Sequence, residues 1–210
     1  LTMMIAAGTA KPMATPEGQA RNEEVFRTAA QLMVQQGCGG TSISDIAKAV
    51  GMTKAGLYHH ITSKQDMLFQ ILQHALDRLQ RVVIEPAKRL EDPEERLRET
   101  IRLNVRGIID HGPEFTLLFP ERHQLDPTQQ EVVAKRIQNH RTFVRAALRE
   151  MANQGKLRNL DINIAQGHIL QTIVGIARWC AEGSVDDEAH LVQQTIDYHM
   201  SGNSLAEITR

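Results

Sequence analysis

An all-α protein is the fold class this sequence predicts, and three observations predict it. Its 14 glycines and 7 prolines are sparse and fall between runs where apolar residues recur every three or four positions, the period of a helix with one buried face. Several runs open on Ser, Thr or Asp, twice with Pro directly behind, the residues that cap and start helices. At 210 residues the chain can bury a good core without disulfide or metal staples.

Residues 1–19 hold Gly8, Pro12, Pro16 and Gly18 without periodicity and read as a flexible arm. With Lys11 and Arg21 near its ends, the arm is either a disordered leader or a minor-groove contact. From Asn22 the series Val25, Ala29, Leu32 and Met33 describes a helix stopped at Gly37. Ser42 opens a second helix by capping the amide of Asp45, and Ile46, Ala47 and Val50 form its apolar face. Gly51 stops it, Thr53 caps a third helix, and Leu57 and Ile61, one turn apart, anchor that helix on the second. Ser63 caps a fourth, whose series Leu68, Ile71, Leu72, Ala75, Leu79, Val82 and Val83 runs to Pro86 as a rod about 33 Å long.

Two similar helix starts follow, Asp92-Pro93-Glu94-Glu95 and Asp126-Pro127-Thr128-Gln129. The first leads through Leu97, Ile101, Val105 and Ile108 to a stop at His111-Gly112-Pro113; the second leads through Val133, Ile137, His140, Val144, Leu148 and Met151 to Gly155. Between them Phe115, Leu117, Leu118 and Phe119 read as a short apolar segment. Asp161 to Cys180 and Asp186 to Met200 are the last two helices, apolar on more than one face. Such a pair covers its own subunit with one face and a partner with the other, which assigns Ile169, Ile173, Ile176, Trp179, Val192 and Ile196 to a dimer interface. The expected division is therefore an arm, a helix-turn-helix domain over 20–66, a helical effector-binding and dimerisation domain over 67–202, and a tail over 203–210.

The outward face of the third helix carries the chemistry. Lys54, Ala55, Gly56, Tyr58 and His59 form a small, flat surface with a cation at its start. Small residues let the backbone enter a major groove about 12 Å wide, where Lys54 can donate to guanine O6 or N7. Tyr58, His59 and Lys64 can meet phosphates. The plain alternative is an ordinary helical hairpin with a solvated polar face.

The stretch Thr41-Ser42-Ile43-Ser44-Asp45-Ile46-Ala47, then Gly51-Met52-Thr53-Lys54-Ala55-Gly56-Leu57-Tyr58-His59-His60-Ile61 and Ser63-Lys64, resembles the signature of the TetR family of bacterial transcriptional regulators. The likeness covers about Glu23 to Leu72 and is architectural beyond. It implies DNA contacts from Ser42, Ser44, Lys54, Ala55, Gly56, Tyr58, His59 and Lys64, with Thr53 at the start of the reading helix. Ser44 stands where many relatives carry a longer, base-reading residue.

The net charge of −1 is unevenly spread: residues 1–81 hold 8 Lys and Arg against 6 Asp and Glu, the remainder 16 against 19. The basic excess therefore lies at the DNA-reading end, and it is small, which leaves discrimination to the recognition helix and to dimerisation. Cys38 and Cys180 lack metal spacing and read as free thiols of a reducing cytoplasm. No apolar run approaches the roughly 18 residues of a membrane span. No catalytic constellation, cofactor motif or metal cluster is evident, and the adjacent His59 and His60 diverge by about 100° on a helix.

Polar residues on or beside the apolar stripes of the second domain read as effector orienters: Arg106, Glu121, Arg122, His140, Arg141 and Thr172, with Phe115, Phe119 and Phe143 as apolar contacts. Their plain alternative is packing and surface. Arg178-Trp179 with Gly183, and the Glu121-Arg122 pair, are similar to family members that respond to acyl-coenzyme A thioesters of lipid or steroid breakdown. The expectation is a cytoplasmic, nucleoid-associated, homodimeric repressor on a palindromic double-stranded operator, released by a small-molecule effector, an acyl-CoA or other lipid-derived ligand being one class. An activator or co-regulator of the same fold is the first alternative. A helical carrier or enzyme that keeps the hairpin without specific DNA binding is the second.

Overall fold

The computed structural model describes residues 16–203 apart from 60, 119, 158–159, 182 and 184–186, and every regular element among them is helical. In order these are α1 (Pro16–Gln36), α2 (Ile43–Ala49), α3 (Lys54–Tyr58), α4 (Lys64–Leu79), a π-helical segment (Gln80–Ile84), α5 (Glu85–Ala87), α6 (Pro93–Leu117), a 3₁₀ helix (Glu121–Gln124), α7 (Pro127–Asn153), α8 (Ile162–Ala181) and α9 (Glu188–Asn203). The all-helical expectation holds. α1 starts at Pro16, inside the stretch expected as an arm; residues 1–15, Phe119 and residues 204–210 lie outside the described residues.

Local chemistry accounts for most helix ends. Ser42 and Asp45 complete a capping box, as do Asp126 and Gln129; Thr53, Ser63 and Asp92 cap their helices through the side-chain oxygen. Asp187 caps the last helix by accepting from the His190 amide at 2.9 Å. Gly51 stands at φ 66°, a left-handed conformation that lets the chain turn from α2 into α3 at once.

Two expected elements differ. The fourth helix is interrupted, because Gln80–Ile84 takes π-helical hydrogen bonding before the last turn at Glu85–Ala87. The helix from Asp92 does not stop at His111-Gly112-Pro113: it kinks there, with His111 at φ −144°, ψ 36°, and resumes to Leu117. Pro113 has no N–H for the carbonyl four residues back, so the chain bends rather than ends. The expected separate segment beginning at Phe115 is the last turn of this helix.

Two hydrophobic clusters fill the interior, and packing crosses the expected boundary at residue 66. The first joins Met33, Ile46, Leu57 and Ile61 of the reading head to Leu68, Leu72 and Leu79 of α4. It also includes Leu117, Leu118, Leu125, Val133 and Ile137, from the end of α6 to the start of α7. The second holds Leu97, Ile101, Val105 and Ile108 of α6 with Val144, Leu148 and Met151 of α7. Ile169, Ile173 and Ile176 of α8 and Ile196 and Met200 of α9 complete it. Phe115, half-buried, packs against both.

The seam between the clusters is polar and irregular. Beside the kink, Arg78 Nη1 lies 2.6 Å from His111 Nε2, and Nη2 reaches Glu23 and His74 at 3.4 Å each. Glu114 is buried with Oε2 unpartnered among the described residues, and burial raises its carboxyl above the usual range. On α7, between Ile137 of one cluster and Val144 of the other, His140 is buried with Nδ1 unpartnered among the described residues. Burial there lowers its pKa to about 4.

His140 therefore stays neutral in the fold, while the unfolded chain takes up its proton near pH 6.5. Its contribution is fully present above that pH and is lost as pH falls towards about 4, by roughly 3 kcal/mol. In urea unfolding repeated across pH, His140→Leu is expected to lose less stability than wild type through that window. Parallel pH curves for the two proteins would contradict this environment for His140.

Candidate nucleic-acid interface and effector cleft

The reading head is built so that its polar face has no packing duty. Leu57 and Ile61 are buried at 0% and 2% exposure, while Lys54, Ala55 and His59 are exposed and Tyr58 is 47% exposed. A Cβ on Gly56 would meet Thr53 Oγ1 at 3.1 Å, and that oxygen accepts the Gly56 amide at 3.0 Å. Glycine thus keeps the start of α3 tightly capped as well as flat. Ser42 and Ser44 are exposed on the same unit. The Ser42 hydroxyl donates to Asp45 Oδ2 at 2.6 Å, so its proton is engaged, and these bonds hold the Asp45 carboxyl below its usual range.

Lys64 has a structural duty that spacing did not reveal. Its Nζ donates to the carbonyls of Cys38 and Gly39 at 2.8 and 3.1 Å, clasping the α1–α2 loop to the start of α4. Glu121 lines a cavity together with Gly37 of the same loop. Burial and then Glu121 raise the Cys38 thiol above its ordinary pKa, opposed by Lys64, which leaves Cys38 a protonated, buried thiol.

A cleft of about 930 Å³ lies between the reading head and the helices behind it. α1 contributes Met33, Val34 and Gln35, with Gly37 beyond its end; α6 contributes Thr116 and Leu117; Pro120 and Glu121 follow; and α8 contributes Gln171, Val174, Gly175 and Arg178. A second cavity of about 490 Å³ shares Val34 and Gln35 with it and continues along α1 past Glu24, Arg27, Thr28 and Gln31, facing the α6 kink and Cys180. The walls of the first are mainly apolar and those of the second mainly polar.

The expected effector residues are not gathered around this cleft. Arg106 is exposed, in ion pairs with Asp110 at 3.7 Å and Glu188 at 3.6 Å. Arg122 is exposed on the 3₁₀ helix, Arg141 and Phe143 are half-buried on α7, and Thr172 Oγ1 donates to the His168 carbonyl of its own helix. Phe115 and His140 belong to the seam, and Phe119 lies outside the described residues. Glu121 and Arg178, singled out in the sequence, do line the cleft. Met33, Val34, Gln35 and Val174 were not foreseen, since nothing local marks the flank of α1 that faces α8.

The expected dimer residues also need correction. Ile169, Ile173, Ile176 and Ile196 are at most 7% exposed and Val192 packs on the second cluster, so these side chains fill their own subunit. Trp179 is 55% exposed, and the other large apolar side chains turned outward on α8 and α9 are Ile164 (61%) and Tyr198 (71%). The helical spacing marked apolar positions on both helices but could not tell which of them face α6. No helix among the described residues is long and apolar enough to cross a membrane. The described residues hold no group of three or more His, Cys, Asp or Glu able to bind a metal.

Residues 90–202 match the family described as "Tetracyclin repressor-like, C-terminal domain", and residues 25–71 match "Bacterial regulatory proteins, tetR family". The HTH-type transcriptional repressor KstR2 of Mycobacterium tuberculosis is 24% identical over 185 residues, 87% of this chain and 92% of KstR2. The HTH-type transcriptional activator FasR of Mycolicibacterium smegmatis is 21% identical, covering 90% of this chain and 86% of FasR. Among solved structures, AibR in complex with isovaleryl coenzyme A and operator DNA superposes with a TM-score of 0.77 at 27% identity, over 85% of this chain and 97% of AibR.

The two cationic or phenolic candidates at the head should respond differently. Tyr58→Ala is expected to leave unfolding free energy within about 0.5 kcal/mol of wild type, because the ring is exposed. Lys64→Met is expected to cost on the order of 1–2 kcal/mol through the two lost charge-assisted bonds. Urea denaturation of both variants decides it; equal stability of Lys64→Met and wild type would show the clasp to be without weight.

Proposed function

Since the chain belongs to the TetR family of bacterial transcriptional regulators, we propose that it is a homodimeric repressor of a palindromic operator, released by a small-molecule effector. It is a regulator and not an enzyme, as are the relatives it matches. The observation that carries the reading is the α3 surface: an exposed, small-residue face with Lys54, Tyr58 and His59 outward, on a helix seated through buried Leu57 and Ile61. In a dimer, two such helices enter successive major grooves about 34 Å apart. Lys54 reads a base edge, while Tyr58 and His59 hold phosphates and set register. The protein acts in the cytoplasm, at the DNA.

The partner subunit packs on the outer faces of α8 and α9, where Ile164, Trp179 and Tyr198 are solvent-exposed in the single chain. An effector favours the conformer with the wrong head spacing, and its differential affinity for the two conformers sets the response, typically 1–3 kcal/mol or a five- to 150-fold loss of operator affinity. The bound isovaleryl coenzyme A of AibR supports a thioester or other lipid-derived effector here. The similarity to the activator FasR supports a second reading, activation by the same fold. Deleting the gene raises target transcripts in the first case and lowers them in the second.

Selection of sheared genomic DNA by the purified protein, at two salt concentrations, is expected to return one palindromic motif that survives the higher salt. Binding without a motif that vanishes with salt would be counterion release alone and would end the regulator reading. For the subunit contact, Trp179→Glu combined with Tyr198→Glu is expected to halve the mass measured by light scattering and to weaken operator binding. An unchanged dimer mass would place the interface elsewhere.

A further inference from the structure

The cleft beside α1 does not lie deep within one half of the molecule. One wall belongs to the reading head, through Met33, Val34 and Gly37, and the opposite wall to α8, through Val174 and Arg178. An occupant therefore touches the head directly. The cleft also closes a circuit of polar contacts that ends on the first residues of α4. Glu121, a wall residue, accepts from the side-chain amide of Gln124. The carbonyl of Gln124 accepts from Gln65 Nε2 at 2.6 Å. Gln65 adjoins Lys64, which holds the carbonyls of Cys38 and Gly39, and the loop so held begins at Gly37, back in the wall.

Resting on the regulator reading above, we propose that this cleft is the effector's seat, and that the Glu121–Gln124–Gln65 bridge carries its occupancy to the DNA-facing end of α4. The ligand it takes is an amphiphile. Its apolar body lies against Met33, Val34, Leu117 and Val174, and its polar head lies in the annex, whose polar lining includes Arg27, Thr28 and Gln31 together with the carboxylates Glu24 and Asp110. A body wedged there displaces Glu121 from α1, and the 3₁₀ helix pulls on Gln65, so head and rod move together. The expected residues at Arg106, Arg141 and Phe143 take no part.

A tryptophan built into the wall stands in for the ligand. Val174→Trp, with Val34→Phe on the opposite wall as a second version should the first fail to fold, is expected to lower operator affinity by about five- to 150-fold. The variant should keep its circular dichroism and its dimer mass. Gln65→Ala alone should bind the operator within about twofold of wild type, and added to Val174→Trp it should restore most of the lost affinity, since the bridge is cut. The amphiphilic probe 1-anilinonaphthalene-8-sulfonate should bind the folded wild-type protein and lose that binding in Val174→Trp.

Wild-type operator affinity in both folded wall variants, or dye binding unchanged by them, would overturn the seat. Failure of Gln65→Ala to restore binding would overturn the bridge. Absence of any operator motif in the genomic selection would instead end the regulator reading, and the dye titration would still report on the cleft by itself.

Discussion

One helix has to satisfy two cores. The first part of α6, from Leu97 to Ile108, lies in the cluster shared with α7, α8 and α9, while Leu117 and Leu118 at its end lie in the cluster that also seats the reading head. Phe115 touches both, and the backbone bends between them at His111. A straight helix would keep its apolar stripe on one line; the break at His111 and Pro113 allows the stripe to change partners. Interiors pack densely, and the irregular backbone of this molecule lies where the two clusters meet. That place holds the kink, the π-helical turn after α4, and the buried polar groups of Glu114 and His140.

The head is consequently not a bead on a linker. Leu57 of α3 and Leu125 before α7 are in the same hydrophobic cluster, and Lys64 and Gln65 tie the start of α4 to the α1–α2 loop and to the 3₁₀ helix. Arg136 of α7 grips the middle of α4 through Gln73 and through Asp77, the latter at 2.6 Å. Each bond is modest, and exposed pairs contribute at most about 1 kcal/mol. Together they fasten α4 at its start and along its middle to the elements packed against it.

This arrangement also explains the division of chemistry along the chain. The residues proposed to meet DNA sit on short helices held by caps and by the buried Leu57 and Ile61, which leaves their outer face exposed. The polar residues that the second half carries at helical spacing serve several unrelated ends. Arg106 makes surface ion pairs, His140 is sealed in the seam, and Thr172 bonds its own helix. Spacing on one helix says which face a residue is on, and does not say what lies opposite.

That distinction separates what was legible in the sequence from what was not. Helix starts at Ser42, Thr53, Ser63, Asp92 and Asp126 were readable because capping is settled within four residues, and so was the outward set on α3, whose anchors Leu57 and Ile61 are near neighbours in the chain. The sequence by itself therefore determined an all-helical chain with a helix-turn-helix reading head and the residues on its outer face. Tertiary structure alone decided that the helix from Asp92 continues through Pro113, and that Ile169, Ile173, Ile176 and Ile196 face inward. It also decided that Val34 and Val174 face each other across a cleft, and that Lys64 serves the α1–α2 loop. Those outcomes depend on contacts between residues far apart in sequence, whose partners are chosen by the packing of whole helices.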